Sequence, residues 1–156
     1  MTPIWSKVVE GFIANFTLIE TKGAWKHNQH GGRKGSSIDD VLVKLWERSM
    51  KALEPTKDSR GVVLCGVDFS KPFSRCSYQQ ILVAYQKLGA PLWVINMHAA
   101  FLTNRAMQVK IWHVLSPQVA VTGGAVQGSI LAVMDHNAVL EDVDDNFRLP
   151  AEKICG

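Results

Sequence analysis

Asp68 closes an apolar run, Val62-Val-Leu-Cys-Gly-Val67, and a bulky aromatic, Phe73, follows five positions later. A carboxylate at the carboxyl end of a buried strand stands where loops open into a ligand crevice in sheets flanked by helices. Two other stretches invite chemistry. Gly123 to Ser129, "GGAVQGS", is a glycine-rich turn, and residues without Cβ let a ligand come close to the backbone. Between Lys22 and Lys34 the chain carries Lys22, Lys26, Arg33 and Lys34 with His27 and His30 and no acid, a patch able to meet phosphates. Taken singly, each has a plain structural explanation: an Asp that ends a strand, a turn that reverses the chain, a solvated loop. Neither GxGxxG nor GxxxxGK[ST] is present.

The elements that must hold these residues follow from periodicity. Val8, Val9, Phe12, Ile13 and Phe16 stand at helical spacing and predict an amphipathic helix over 6–16. "NQHGGRKGSS" is a loop, and Ser36 and Ser37 precede Asp39 and Asp40 by three residues in a capping-box arrangement. The helix that follows presents Ile38, Val41, Leu42, Leu45, Trp46, Met50 and Leu53 on one face. "EPTKDSR", from Glu54 to Arg60, is a polar turn, and Val62–Val67 suits a central strand buried on both faces. A helix from Ser77 to Leu88 points Ile81, Leu82, Tyr85 and Leu88 inward and stops at Gly89. Another begins at Pro91, carries Leu92, Trp93, Ile95 and Leu102, and ends at Asn104. Alternation over Met107–Trp112 and a short strand over Gln118–Thr122 predict an antiparallel hairpin, and an apolar helix follows the glycine turn. The order is mixed α/β (α+β).

At 156 residues with 47% hydrophobic content, the chain suits one ordinary domain. No apolar run reaches the roughly 18 residues of a membrane span, and the start lacks a signal peptide's regions, so an intracellular protein (cytoplasm or nucleus) with no membrane partner is expected. The scattered Cys65, Cys76 and Cys155 argue for reduced thiols. The net charge of +3 is too small to identify a partner.

In order, these segments resemble the reverse transcriptase domain of non-LTR retrotransposons. "SKVVEGFIANF" and "NQHGGRKGSS" are similar to that family's "SKV.E" helix and "QFGFRKGRS" loop. "VDFSKPFSR" resembles the strand-end motif "vDFSKAFDr", known as motif A. "LGAPLWVINMHAAFLTNRAMQVKIWHVLS" follows the family's spacing of "LG.P.wl..wi..fL..R...V.i...lS", and "VTGGAVQGSIL" resembles "v..GvPQGsvLgP", motif B. The likeness is collinear over roughly residues 4 to 137.

The resemblance implies a partial right-hand polymerase, a small sheet with helices packed on it. Residues 1–60 would be fingers-like, 61–141 palm-like with both motifs, and 142–156 an acidic tail. It implies RNA-directed DNA polymerase chemistry: transfer of deoxynucleotides to a DNA primer on an RNA template, assisted by two Mg2+ ions held by hard carboxylate oxygens. Asp68 matches the motif A metal ligand, the catalytic carboxylate of that strand end. Phe69, Ser70 and Phe73 would line the nucleotide pocket, Gln127 and Gly128 would lie against the incoming nucleotide and template base, and Arg33 and Lys34 would contact nucleic acid. Phe73 stands where viral RNA-dependent RNA polymerases carry an acid for the ribose 2′-OH, so the resemblance implies a pocket for deoxynucleotides and disfavours that alternative.

The sequence departs from the pattern at Ser74, Val126 and "DHN" (135–137). Val143-Asp144-Asp145 follows Glu141 and Asp142 with no apolar strand around it, and reads as an acidic helix face rather than the family's Asp pair. We therefore expect that pair downstream of Gly156, and expect the isolated chain to be inactive, since one carboxylate cannot hold two divalent ions against their repulsion. A non-catalytic, nucleic-acid-binding remnant is the alternative from another class.

Overall fold

The computed structural model describes residues 4–26, 29–54, 61–126 and 128–141, apart from the side chain of Pro72. His27, most of the 54–60 turn, Gln127, Asp144, Asp145 and Cys155 lie outside the described residues. In chain order the elements are α1 (Ile4–Glu20), α2 (Ile38–Leu53), α3 (Pro72–Arg75), α4 (Tyr78–Lys87), α5 (Leu92–Leu102), β1 (Arg105–Met107), β2 (Lys110–Ile111), β3 (Val114–Leu115), β4 (Val119–Val121) and α6 (Ile130–Leu140). The fold is mixed helix and antiparallel sheet, divided into two compact units: residues up to Lys26 with those from Lys71 onward, and 27–70.

The first unit is built helix on helix. Its larger core joins Ile81, Ala84, Tyr85 and Leu88 of the α4 region to Val94 and Leu102 of α5 and Ala138 of α6; a second cluster joins Ile13 and Ala14 of α1 to Leu131 of α6. Full burial of each large aliphatic side chain stabilises the fold by ~1.5–3 kcal/mol. Ser77 caps α4. Its hydroxyl accepts from the Gln80 amide, and the Gln80 side chain accepts from the Ser77 amide.

The face that α1 buries differs from the expected one. Glu10, Ile13, Ala14 and Thr17 are buried, whereas Val8, Val9, Phe12 and Phe16 are exposed, because polar partners on other helices draw Glu10 and Thr17 inward. Helix α5 likewise buries Val94, His98 and Leu102, one every four residues, and leaves Leu92 and Trp93 exposed. Trp93 meets Phe16 edge to face, ring centres 5.6 Å apart.

An antiparallel hairpin forms as expected, but its first arm ends at Ile111 and Trp112 falls in the turn instead of the strand. β1 pairs antiparallel with β4 (Arg105↔Val121, Met107↔Val119), and β2 with β3 (Lys110↔Leu115, Ile111↔Val114). Between the two ladders, the Ser116 amide donates to the Val109 carbonyl and the Val109 amide to the Ser116 hydroxyl, both at 2.9 Å. Tyr78 of α4 reaches this ribbon, donating its hydroxyl to the Val121 carbonyl at 3.0 Å.

In the second unit, α2 has its capping box in full: Ser37 Oγ accepts from the Asp40 amide and the Asp40 carboxylate from the Ser37 amide at 2.7 Å. No residue of α2 is buried, and Leu42 and Trp46 of its apolar face are 55% and 65% exposed. The segment 62–67 is not the buried central strand that its composition suggests. Among the described residues no strand pairs with it, and Val63 is 94% exposed. Apolarity creates a strand only where a neighbour takes up its backbone N–H and C=O groups. The small sheets therefore do not form a layer beneath the helices; the core of the first unit is helical.

The amide and hydroxyl hydrogen bonds of Ser37, helped by His30 and Lys44, hold the Asp40 carboxyl below the ordinary aspartate value of 3.8. A lowered folded value means that the cap stabilises α2 fully above the ordinary value and is lost as the pH falls below it through the lowered one. Hydrogen exchange of the α2 amides should show protection falling in that acid window. Ser37→Ala should weaken the helix by ~1 kcal/mol at neutral pH; unchanged α2 protection in that variant would refute the role of the cap.

Candidate functional site

Phe73 and the glycine turn, fifty residues apart in the chain, meet in the first unit. Lys71, at φ +52°, turns the chain into the single turn α3. The Phe73 carbonyl then accepts the Ala125 amide at 2.7 Å, and the Cys76 carbonyl accepts the Gly124 amide at 2.8 Å. Gly124 has φ +88°, and a Cβ there would stand 3.4 Å from the Phe73 carbonyl oxygen and from two backbone atoms of Ser74. Glycine fits this crossing both for its left-handed backbone and for the close approach.

The Phe73 ring packs on His136 of α6, ring centres 5.0 Å apart. Nδ1 of the same imidazole lies 4.0 Å from Cys76 Sγ. Burial holds His136 below its ordinary value, and burial together with the charge of Asp135 pushes the Cys76 thiol up. At neutral pH the wall beside Phe73 is therefore an uncharged imidazole and an uncharged thiol. A thiol in that state is a poor nucleophile and metal ligand.

The other end of the turn is fixed from α1. Glu10 is fully buried, and its Oε2 accepts from the Ser129 hydroxyl and the Ile130 amide, both at 2.9 Å. Its Oε1 accepts from Ser6 at 3.0 Å. Ser129 is the N-cap of α6 and also accepts from the Leu131 amide. The amino end of a helix attracts anions, and here a protein carboxylate already takes that place. A phosphate would meet Glu10 there, so α6 is not a phosphate cradle. Gly128, exposed at φ +85°, is held just outside the cap.

Beneath the site lies a buried polar cluster. Tyr85 donates to Asp135 Oδ1 at 2.8 Å, and His98 Nδ1 approaches the same oxygen at 3.2 Å without hydrogen-bond alignment. His98 Nε2 and the Thr17 hydroxyl are 2.9 Å apart. Burial, then the charge and hydrogen bond of Asp135, pushes the Tyr85 phenol well above its ordinary value of 10.0. The arrangement of acid, imidazole and hydroxyl is fully buried, so it braces α1, α4, α5 and α6 and offers no access to a substrate.

Of the remaining sequence candidates, Asp68, Phe69 and Ser70 lie in the second unit, exposed and outside helix or strand. Arg33 there is half-buried and donates to the Gln29 carbonyl at 3.1 Å, closing its own loop; Lys34 is exposed. Gln127 lies outside the described residues. Among the described residues no group of three or more His, Cys, Asp or Glu side chains stands in position to hold a metal ion. Asp68 supplies one carboxylate, which by itself does not make a two-ion site. No helix among them is long and apolar enough to cross a membrane.

Sequence reasoning missed Glu10, His136 and the Asp135 cluster. A signal existed for Asp135, the one acid between Asp68 and Glu141, set in an apolar helix. Glu10 showed as an acid among the apolar residues of α1. Compared with known proteins, the chain matches no family model, no curated protein and no solved structure.

Glu10→Ala should destabilise the first unit, because each buried donor left without its acceptor costs about 1–3 kcal/mol. Glu10→Gln, which keeps a carbonyl acceptor, should lose less. Urea unfolding of the two variants checks this ordering, and an alanine variant as stable as the parent would remove Glu10 from the account of α6.

Proposed function

We propose that this chain is part of an RNA-directed DNA polymerase, a reverse transcriptase of the non-LTR retrotransposon type that adds deoxynucleotides to a DNA primer on an RNA template. The observation that carries the reading is the meeting of its two most specific motifs: Phe73 of "VDFSKPFSR" and the turn of "TGGAVQGS" are joined by the Ala125 to Phe73 and Gly124 to Cys76 hydrogen bonds. Convergence of segments so far apart is what a nucleotide pocket built from both requires.

In this reading Phe73 is the sugar gate. Its ring is partly exposed, backed by His136, and offers no hydrogen-bond partner to a 2′-hydroxyl. A ribose would have to bury that hydroxyl unpaired against the ring, which disfavours ribonucleotides. The resemblance assigns Phe69 and Ser70 to the same nucleotide. Gly128, with Gln127 beside it, presents backbone to the incoming nucleotide and the template base. The carboxylate of Glu10 at the amino end of α6 directs the triphosphate away from that helix.

Asp68 is the carboxylate available to a magnesium ion, and further ligands would come from outside the described residues. Magnesium, when bound, supplies charge stabilisation for in-line phosphoryl transfer. Lys34, exposed beside the loop-closing Arg33, is the better placed of the two to meet a phosphate of the template. A non-catalytic nucleic-acid-binding remnant is the second reading. It is favoured by the lone carboxylate of Asp68 and by the absence of any Asp or Glu from Phe69 to Met134.

Primer extension by the full reading frame that carries this segment tests the proposal. With magnesium, deoxynucleotides should be incorporated and ribonucleotides refused, and Asp68→Ala should abolish incorporation. Phe73→Ala should relax sugar discrimination by about 10- to 200-fold, the range that one small group in a shaped pocket commands. The 156-residue chain alone should not extend a primer. A parent protein that used both sugars equally, with Phe73→Ala changing nothing, would overturn the gate.

A further inference from the structure

The hairpin of β1 to β4 has no part in the site above. Its tip is a two-residue turn, Trp112–His113, between the paired Ile111 and Val114. Trp112 takes φ +56°, a left-handed conformation that glycine accepts freely and residues with a Cβ do not. Its indole is 87% exposed, with exposed Lys110 and His113 beside it. A large aromatic held clear of its own fold on strained backbone is the kind of outlier that marks a functional position. No Asp or Glu occurs from Phe69 to Met134, so no acid on the hairpin offsets its cations.

A flat π-face beside an ammonium group matches single-stranded nucleic acid, where bases stack and phosphates follow at short intervals. A lipid surface or a protein partner calls for a continuous apolar face. The strands do carry exposed Met107, Val109, Ile111, Val114 and Val119 on one face, but the tip differs: its indole stands with Lys110 and His113 and no acid, the pairing of ring and cation that a base and its phosphate require.

We propose that the hairpin tip binds single-stranded nucleic acid, with a base stacked on Trp112 and the Lys110 ammonium on a neighbouring phosphate. This contact shares with the proposed function only the class of partner, and would operate in a non-catalytic protein as well.

The test uses the 156-residue chain and a fluorescein-labelled oligothymidylate of about twenty nucleotides, followed by fluorescence anisotropy over a range of salt. Trp112→Gly should weaken binding by about 5- to 150-fold, the worth of one stacked base, while its melting temperature stays level or rises because glycine relieves the turn. Lys110→Gln should flatten the log–log salt dependence by about 0.7, the share of one phosphate contact on a single strand. Lys34→Ala serves as the comparison. If it weakens binding while Trp112→Gly does not, the hairpin inference fails and the polymerase reading stands. If Trp112→Gly weakens binding while the full reading frame incorporates no deoxynucleotide, the polymerase reading fails and the inference stands. Binding to phosphatidylserine vesicles but not to the oligonucleotide, or association between copies of the chain that Trp112→Gly abolishes, would overturn the inference.

Discussion

Two buried carboxylates, Asp135 and Glu10, set the terms for the helical unit. Leaving water is expensive for an ionised group unless partners replace the lost hydration, so each acid dictates what must stand around it. Asp135 gathers Tyr85 and His98, and His98 in turn meets Thr17. Glu10 binds the amino end of α6, and at the other end Glu141 accepts the Lys26 amide at 3.0 Å. Contacts in the order 10 with 130, 17 through His98 with 135, and 26 with 141 mean that α1 and α6 run side by side in the same direction. Sliding α1 by one turn would break the two contacts made from the helix itself, at Glu10 and Thr17, so the seam fixes the register of the two helices more sharply than the aliphatic contacts alone.

That register carries through to the candidate site. The glycine turn is tied at its start to the carbonyls of Phe73 and Cys76 and at its end to Glu10. Between those ties lies Gly128, one of the residues that the resemblance assigns to the nucleotide. His136 belongs to the same logic. It lies one residue from Asp135 on α6, so the cluster that fixes the helix also places the imidazole against Phe73.

Legibility in the sequence followed the range of the interactions. Ser37 with Asp40 is local, three residues apart, and that capping box forms where the sequence indicates; the box of Ser77 with Gln80, equally local, was overlooked. The hairpin follows from alternation over a short loop, another local property. What could not be read was set by partners distant in sequence. The apolar spacing of Val8, Phe12 and Phe16 points to one face of α1, yet Glu10 and Thr17 turn another inward because their partners lie on α5 and α6. The segment 62–67 fails as a strand for the converse reason: its apolar content implies burial, and no described strand meets it. The convergence of Phe73 with Gly124 was legible only as two motifs, since nothing local to either shows that Ala125 donates to Phe73.

Charge distribution links the site and the hairpin more closely than geometry does. From Phe69 to Met134 the chain carries cations and no acid, so Asp135 is the first negative charge after Asp68, and it is buried. Glu10, the carboxylate closest to the glycine turn, is also buried, and its oxygens point at Ser6, Ser129 and Ile130. Both acids are thereby kept from the surface in a low-dielectric interior, while Arg75, Lys87, Lys110 and His113 are exposed. The surface contributed by residues 69–134 is therefore cationic, whereas among the described residues the exposed acids Glu20, Asp39, Asp40, Glu47, Glu54 and Asp68 all precede that stretch in the chain. Glu10 and Asp135 add no exposed negative charge to that stretch, because the partners that each carboxylate needs in the interior hold it there.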